Sequence, residues 1–216
     1  MVVFFSEQIP TIPDFFKDKN IFVTGGSGFI GKVLIEKLLR SCPDIGNIYI
    51  LLREKRGKTL EERVKDMINI PKQDVDAVKK IVPINGDIYK LRLGLSDEDR
   101  NAIINQVNII FHVAASVRFD DPLKKAILYN VRSTVELIQL AKDLKNLAVF
   151  VHVSTAYCNS DKKVIEEKLY PAHLDWRQAI KLAEEIDEHA LEIFTPKFIK
   201  PLPNTYTFSK SLAEHV

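Results

Sequence analysis

Tyr206 and Lys210 are the side chains in this sequence best spaced to move a proton. They stand four residues apart in the stretch Asn-Thr-Tyr-Thr-Phe-Ser-Lys, so a helix brings both onto one face. A free tyrosine hydroxyl titrates near ~10, too high for acid–base work at neutral pH, and a neighbouring ammonium favours the phenolate. A lysine so placed can also bond the ribose hydroxyls of a cofactor. Ser154 and Thr155 close an apolar run at residues 148–153, and either hydroxyl could hold a substrate oxygen. Together such groups stabilise negative charge on a carbonyl oxygen as hydride arrives and then deliver a proton. A Tyr-x-x-x-Lys pair alone arises often by chance on helices, so its meaning rests on what precedes it.

What precedes it is a glycine turn. The run Ile21, Phe22, Val23 suits a buried strand, breaks at Thr24 and Gly25, and passes into a helical pattern at Phe29, Ile30, Val33, Leu34 and Leu38. Gly25, Gly28 and Gly31 recur every three residues at this strand-to-helix turn. The arrangement lets backbone N–H groups reach a pyrophosphate at a helix N-terminus, where the dipole favours negative charge. Gly25 suits the tight turn, Gly28 the close backbone approach, and Gly31 the packing of helix on strand. The three-and-three spacing resembles the extended branch of the short-chain dehydrogenase/reductase superfamily.

A second near-continuous apolar run, residues 48–52, reads as a strand of a parallel sheet buried on both faces. A carboxylate at its end would accept bonds from the ribose 2′-hydroxyl of NAD. Here Arg53 holds that place, followed by Lys55 and Arg56. A guanidinium binds a 2′-phosphate that a carboxylate would repel, so the expectation is NADPH. Residues 59–70 read as an amphipathic helix, 75–81 as a short helical turn, and 81–84 as a third strand ending in Gly86, Asp87 and Ile88. Residues 96–106 read as a helix capped by Ser96, with acids in its first turn.

A fourth strand runs over residues 107–115 and ends in the small pair Ala114 and Ala115, which leaves room for a cofactor ribose. His112 within it reads as a satisfied core histidine. Residues 122–144 read as one long helix with Asn130 near its apolar stripe. Five strand signals alternate with helices, which predicts an α/β fold: a doubly wound parallel sheet with right-handed crossovers, Rossmann-type. Residues 1–19 form an N-terminal arm, expected to be extended and packed on the domain, and residues 20–216 the NADP-binding domain. Residues 158–200 interrupt the alternation with a helical stretch over 179–194, a natural place for substrate contacts.

Bulk properties narrow the classes. The chain has 216 residues, 46% hydrophobic and 28% charged, with a net charge of +2. That fits one globular domain with a sizeable core. Basic pairs such as Lys79-Lys80 and Lys162-Lys163 read as solvated faces, so no nucleic-acid partner is expected. Two cysteines, Cys42 and Cys158, make no disulfide framework, and no metal site is expected. No signal peptide is visible, and nothing approaches the ~20 apolar residues of a membrane span.

The words at residues 12–16, 22–40, 50–53, 111–120, 152–157 and 204–210 together resemble the alcohol-forming fatty acyl-CoA reductases, the male-sterility branch of the extended family. Ser-Val-Arg-Phe-Asp, ending at Asp120, is the most discriminating of them. The resemblance implies reduction of a long-chain fatty acyl-CoA through an aldehyde to a fatty alcohol by two NADPH. It implies Tyr206 as proton donor, Lys210 as its electrostatic partner, and Thr155 or Ser154 as oxygen holder, with Thr155 favoured. It further implies Thr24, Gly25, Gly28, Phe29, Ile30, Gly31, Arg53, Ala114, Asn130, Tyr206 and Lys210 around the cofactor, with Asp87 and Ile88 by its adenine. In that family an asparagine at the place of Asn130 supports the lysine, often through water. Ser133 departs from the family's usual glycine. The family continues beyond the helix that carries Lys210, so a cofactor domain truncated at its C-terminus is expected. The family also implies an intracellular place, with peroxisomal or endoplasmic-reticulum membrane association. Two readings stay open beside it: another extended reductase, such as a sterol dehydrogenase or sugar-nucleotide epimerase, and a non-catalytic cofactor-binding fragment.

Overall fold

A computed structural model of the chain describes residues 10–54, 57–67 and 75–216. Lys55, Arg56, residues 68–70 of the expected amphipathic helix and residues 1–9 of the arm lie outside the described residues. The elements run α1 (Ile12–Phe16), β1 (Ile21–Thr24), α2 (Phe29–Ser41), β2 (Ile48–Leu52), α3 (Leu60–Met67), α4 (Val75–Lys79), β3 (Ile81–Asn85), α5 (Asp97–Gln106) and β4 (Ile109–His112). Then come α6 (Leu123–Ile127), a π-helical segment (Leu128–Arg132), α7 (Ser133–Asp143), β5 (Val149–His152), α8 (Trp176–Glu185), α9 (Glu188–Phe198) and α10 (Thr205–Ala213). The five strands form one parallel sheet in the order β3-β2-β1-β4-β5.

Strand alternation sorts the core into two layers. Ile21, Val23, Ile48, Ile50 and Ile109 pack with Ile35, Leu38 and Leu39 of α2 and with Val64 and Met67 of α3. Phe22, Tyr49, Leu51 and Ile110 pack on the other face with Ile103 of α5 and with Leu137, Leu140 and Ala141 of α7. Both faces of β1 are therefore covered, and all four of its residues are buried. That explains the unbroken apolar run in its sequence. A third cluster joins α6, α8 and α10 through Leu123, Ile127, Val131, Ala179, Ala183, Phe208 and Leu212. It seats the Tyr206 helix beside the doubly wound body.

Caps set the boundaries. The Ser96 hydroxyl accepts from Asp99 N and starts α5, as its sequence suggests. Thr59 and Glu62 cap α3 reciprocally, each side chain accepting from the other's backbone N–H.

Three expectations need correction. The arm is not extended throughout, because Thr11 caps a short helix whose last residue, Phe16, packs on the core. The helical stretch expected over residues 179–194 is two helices. Asp187 breaks it by accepting from His189 N and Ala190 N, which opens α9. The long helix over residues 122–144 is interrupted by the π segment that carries Asn130. Among the described residues, no helix is long and apolar enough to cross a membrane.

Gly31 sits where α2 crosses the glycine turn, and a Cβ there would overlap Gly25 O and meet Gly26 Cα at 2.6 Å. Both obstacles are backbone, so neither can swing aside. Gly31→Ala should lower the stability of the domain by about 1–3 kcal/mol, measured as a shift of the urea midpoint at constant m.

Candidate active site

The strand order reverses between β1 and β4, and a cleft of about 500 Å³ opens at the carboxyl ends of the strands. Four of the five strand ends contribute a stretch of wall. Gly25, Ser27, Gly28 and the first residues of α2 follow β1, Arg53 follows β2, Gly86–Ile88 follow β3, and Val113–Ala115 with Val117 follow β4.

Gly25 adopts φ +75°, and a Cβ there would lie 2.5 Å from Ala114 N. The turn is thus left-handed and pressed onto the end of β4, and only glycine fits it. Gly28 is the N-cap of α2 and makes no side-chain cap bond, so no side chain occupies the helix mouth. Such an uncapped helix mouth can accept a diphosphate. Phe29, Ile30, Ala114, Asp87 and Ile88, all expected around a cofactor, also line the cleft.

Arg53 is 63% exposed at the cleft wall. Its Nη1 donates to the Tyr129 hydroxyl at 2.9 Å and lies 4.0 Å from Asp87 Oδ2. A second guanidinium shares the wall: Arg63 of α3 donates to the Arg53 carbonyl and lines the same cleft. Sequence reasoning passed over Arg63 and Tyr129. Arg63 carried one usable signal, a basic residue in the helix that follows the second strand. Tyr129 carried none, because it lies 76 residues from Arg53.

Four expected cofactor residues are not on the cleft wall: Thr24 and Asn130, and Tyr206 and Lys210 of α10. Thr24 is fully buried. Its hydroxyl is engaged by His112 Nδ1 at 2.8 Å and by Ala114 N at 3.4 Å. Asn130 is likewise buried. Its Oδ1 accepts from Ser116 N at 2.9 Å, and its Nδ2 donates to Ser116 O at 3.1 Å and to Ser209 Oγ at 2.8 Å. The amide therefore clamps the loop after β4 to α10 and makes no hydrogen bond to Lys210. His112 is a satisfied core histidine, bonded at its other nitrogen to Thr134 Oγ1 at 3.1 Å. Burial pushes it well below the ordinary histidine range, with the charges of His152 and Lys210 acting in the same direction.

Asn204 caps α10 by accepting from Thr207 N. Tyr206 and Lys210 follow on this helix, and both lie outside the wall of the cleft. The Tyr206 ring meets Phe119 of the loop after β4, with centroids 5.6 Å apart, and its phenol has no hydrogen-bond partner among the described residues. Lys210 is only 2% exposed. Its Nζ donates to Val153 O at 2.8 Å and lies 3.1 Å from His152 Nε2. Burial lowers its pKa to about 8, although the negative forms of Cys158 and Glu214 pull it upward. Ser154 Oγ bonds Cys158 Sγ at 3.1 Å, whereas the Thr155 hydroxyl accepts only a 3.3 Å bond from Tyr157 N. Both hydroxyls follow β5, on the strand that seats Lys210.

A parallel sheet with a glycine cradle at its switch point and a tyrosine–lysine helix beside its last strand defines a Rossmann-type domain of the extended reductase class. The family model described as "Male sterility protein" matches residues 23–216, and the chain belongs to that family, whose domain binds a nicotinamide cofactor. The chain is 44% identical over 212 residues to "Fatty acyl-CoA reductase 1" of Homo sapiens, which covers 95% of this chain and 41% of the relative. It is 47% identical over 208 residues to "Fatty acyl-CoA reductase wat" of Drosophila melanogaster, covering 94% and 40%. The chain thus spans about two fifths of the length of the curated relatives it matches. Among solved structures, the terminal R domain of the myxalamid PKS-NRPS pathway superposes with a TM-score of 0.62 at 24% identity, covering 91% of this chain and 43% of the other. A thiolation-reductase di-domain from an archaeal non-ribosomal peptide synthetase gives 0.63 at 21%, covering 93% and 38%. These two show the fold alone.

The Lys210 environment sets a pH dependence of stability. Its folded pKa of about 8 lies below the ordinary 10.5, so between those values the unfolded chain binds more protons. Stability from this group therefore rises with pH across that window. The difference in unfolding free energy between the protein and Lys210→Met should shift in favour of the unaltered protein from pH 8 to pH 10.5, as read by urea titration.

Proposed function

We propose that this domain binds NADPH and supplies the proton donor of a reductase that converts long-chain fatty acyl-CoA through an aldehyde to a fatty alcohol. The observation that carries the reading is the pairing of an NADP-type cleft wall with a tyrosine–lysine helix in a chain of this family. The names of the relatives supply the substrate class.

Arg53 and Arg63 form the phosphate-selective end of the cleft. Two guanidiniums beside one strand end suit a 2′-phosphate, and the bond to Tyr129 orients the first of them. The uncapped mouth of α2 takes the diphosphate, and Asp87 with Ile88 borders the adenine. Bound there, the cofactor supplies hydride.

Tyr206 gives its hydroxyl hydrogen to the carbonyl oxygen of the substrate, and the adjacent Lys210 ammonium steadies the negative charge. Thr155 holds the same oxygen. Of the two hydroxyls after β5 it is the freer, because Ser154 is tied to Cys158. In the first round the thioester carbon accepts hydride and its oxygen accepts a proton, which gives a hemithioacetal. Loss of CoA thiol leaves the aldehyde, and a second round of hydride and proton gives the alcohol.

The test is turnover of a long-chain acyl-CoA by the full-length protein with NADPH, read as cofactor oxidation and fatty alcohol. Absence of both would refute the proposal. Tyr206→Phe should lower kcat by roughly 100- to 10,000-fold and leave NADPH affinity within about twofold. Arg53→Ala and Arg63→Ala should each weaken NADPH by about 10- to 100-fold and NADH by much less. Equal losses for the two cofactors would remove both arginines from their assigned role.

A further inference from the structure

We propose that His152 is a positioning residue for this reductase: it seats the Lys210 ammonium at the proton-donating end of the site by accepting one of its hydrogens. The proposal rests on the function set out above.

His152 is the last residue of β5, and Val153 follows it directly. The strand end therefore offers two acceptors side by side, His152 Nε2 at 3.1 Å and Val153 O at 2.8 Å from Lys210 Nζ. An ammonium has three hydrogens, so this seat fixes two and leaves one to reach outward. At 2% exposure Lys210 has almost no access to solvent, and bulk water cannot replace a lost acceptor.

The orientation of the ring fits this role. To accept from Lys210, His152 must be neutral with its hydrogen on Nδ1. That nitrogen is buried and has no hydrogen-bond partner among the described residues. Buried polar atoms are ordinarily paired. A histidine present only to fill space would have its nitrogens shared out by its neighbours, as His112 has. His112 bonds Thr24 through one nitrogen and Thr134 through the other. His152 leaves one nitrogen unpaired and keeps the other on the lysine.

The surrounding charges agree. The groups facing Lys210 are His112 from β4, His152 from β5, Cys158 from the loop after β5, and Glu214 beyond the end of its own helix. The ring of His112 lies 5.0 Å from that of His152. Burial, and then the Lys210 charge, pushes His152 down to about 4, and burial pushes the Cys158 thiol up to about 11. Between about pH 4 and pH 8 the seat is thus a neutral acceptor under an ammonium. Removing the acceptor weakens the charged form of Lys210 and moves its titration down.

The experiment compares His152→Phe with His152→Gln in the full-length protein, because a glutamine Oε1 can accept where Nε2 did. His152→Phe should lower kcat/KM with acyl-CoA by about tenfold and move the alkaline limb of its pH profile down by roughly half a unit or more. His152→Gln should restore both. Nitrogen NMR of selectively labelled lysine, recorded without acyl-CoA, should show the Lys210 titration falling in the phenylalanine variant and holding in the glutamine variant. Because that reading needs no turnover, it stands apart from the choice of substrate. If the phenylalanine variant does not fold, His152→Asn takes its place, since the shorter amide falls short of Nζ. An unchanged Lys210 titration and alkaline limb, or a glutamine variant as impaired as the other, would overturn the proposal.

Discussion

A buried column of polar bonds ties the glycine turn to the tyrosine helix, and the geometry of the whole site depends on it. Thr24 at the end of β1 bonds His112 on β4. His112 bonds Thr134 on α7, and Thr134 donates to the carbonyl of Asn130. The Asn130 amide donates to Ser209, and Ser209 donates to the carbonyl of Tyr206. The direction of these bonds fixes the histidine tautomer. The Thr134 hydrogen is committed to Asn130, so His112 must donate from Nε2 and accept from Thr24 at Nδ1. Each link is satisfied, and breaking one would leave its neighbours buried and unpaired at about 1–3 kcal/mol each. Thr24 and Asn130 therefore belong to the frame behind the cleft.

The π segment makes this column possible. Its widened turn lies in the middle of the helical run that crosses the sheet, and Asn130 sits within it. Such bulges occur often at functional sites because they redirect one side chain without ending the helix. Here the redirected amide grips Ser116 through both of its backbone groups and still reaches Ser209.

Much of this was legible in the sequence, and the division follows the range of the interactions. The strands, the glycine turn and the Tyr206–Lys210 helix are local patterns, so periodicity and spacing placed them. The Ser96 cap and the role of Gly25 were readable for the same reason. What escaped depends on tertiary packing. Arg53 meets Tyr129 across 76 residues, and Lys210 meets His152 across 58. Thr24 lies in the right word of sequence, but the strand end turns its hydroxyl to His112 and away from the cleft. Asp187 could have been recognised as an N-cap, since it is an aspartate inside an otherwise helical pattern. The strength of the surrounding periodicity hid it. The proposed substrate rests on the family resemblance and on the relatives' names, and no single residue of the site carries it.

The cleft and the Tyr206 helix are distinct parts, and the loop after β4 is what joins them. Val117 of this loop lines the cleft, and Phe119 lies against the Tyr206 ring. Both ends of the loop are held. Asn130 grips Ser116 at the start, and the buried Asp121 near the end accepts from Ser116 and from Lys125, at 2.7 Å for the latter. The backbone of Asp121 in turn accepts from Thr205, the first residue of α10, at 2.8 Å. Between the anchors Phe119 is 61% exposed. The loop thus has a rigid base and an open apolar crest, with the glycine cleft on one side and Tyr206 on the other. A group bridging the two must cross that crest. This gives a physical meaning to the Ser-Val-Arg-Phe-Asp word: it builds the span between the glycine cleft and the Tyr206 ring.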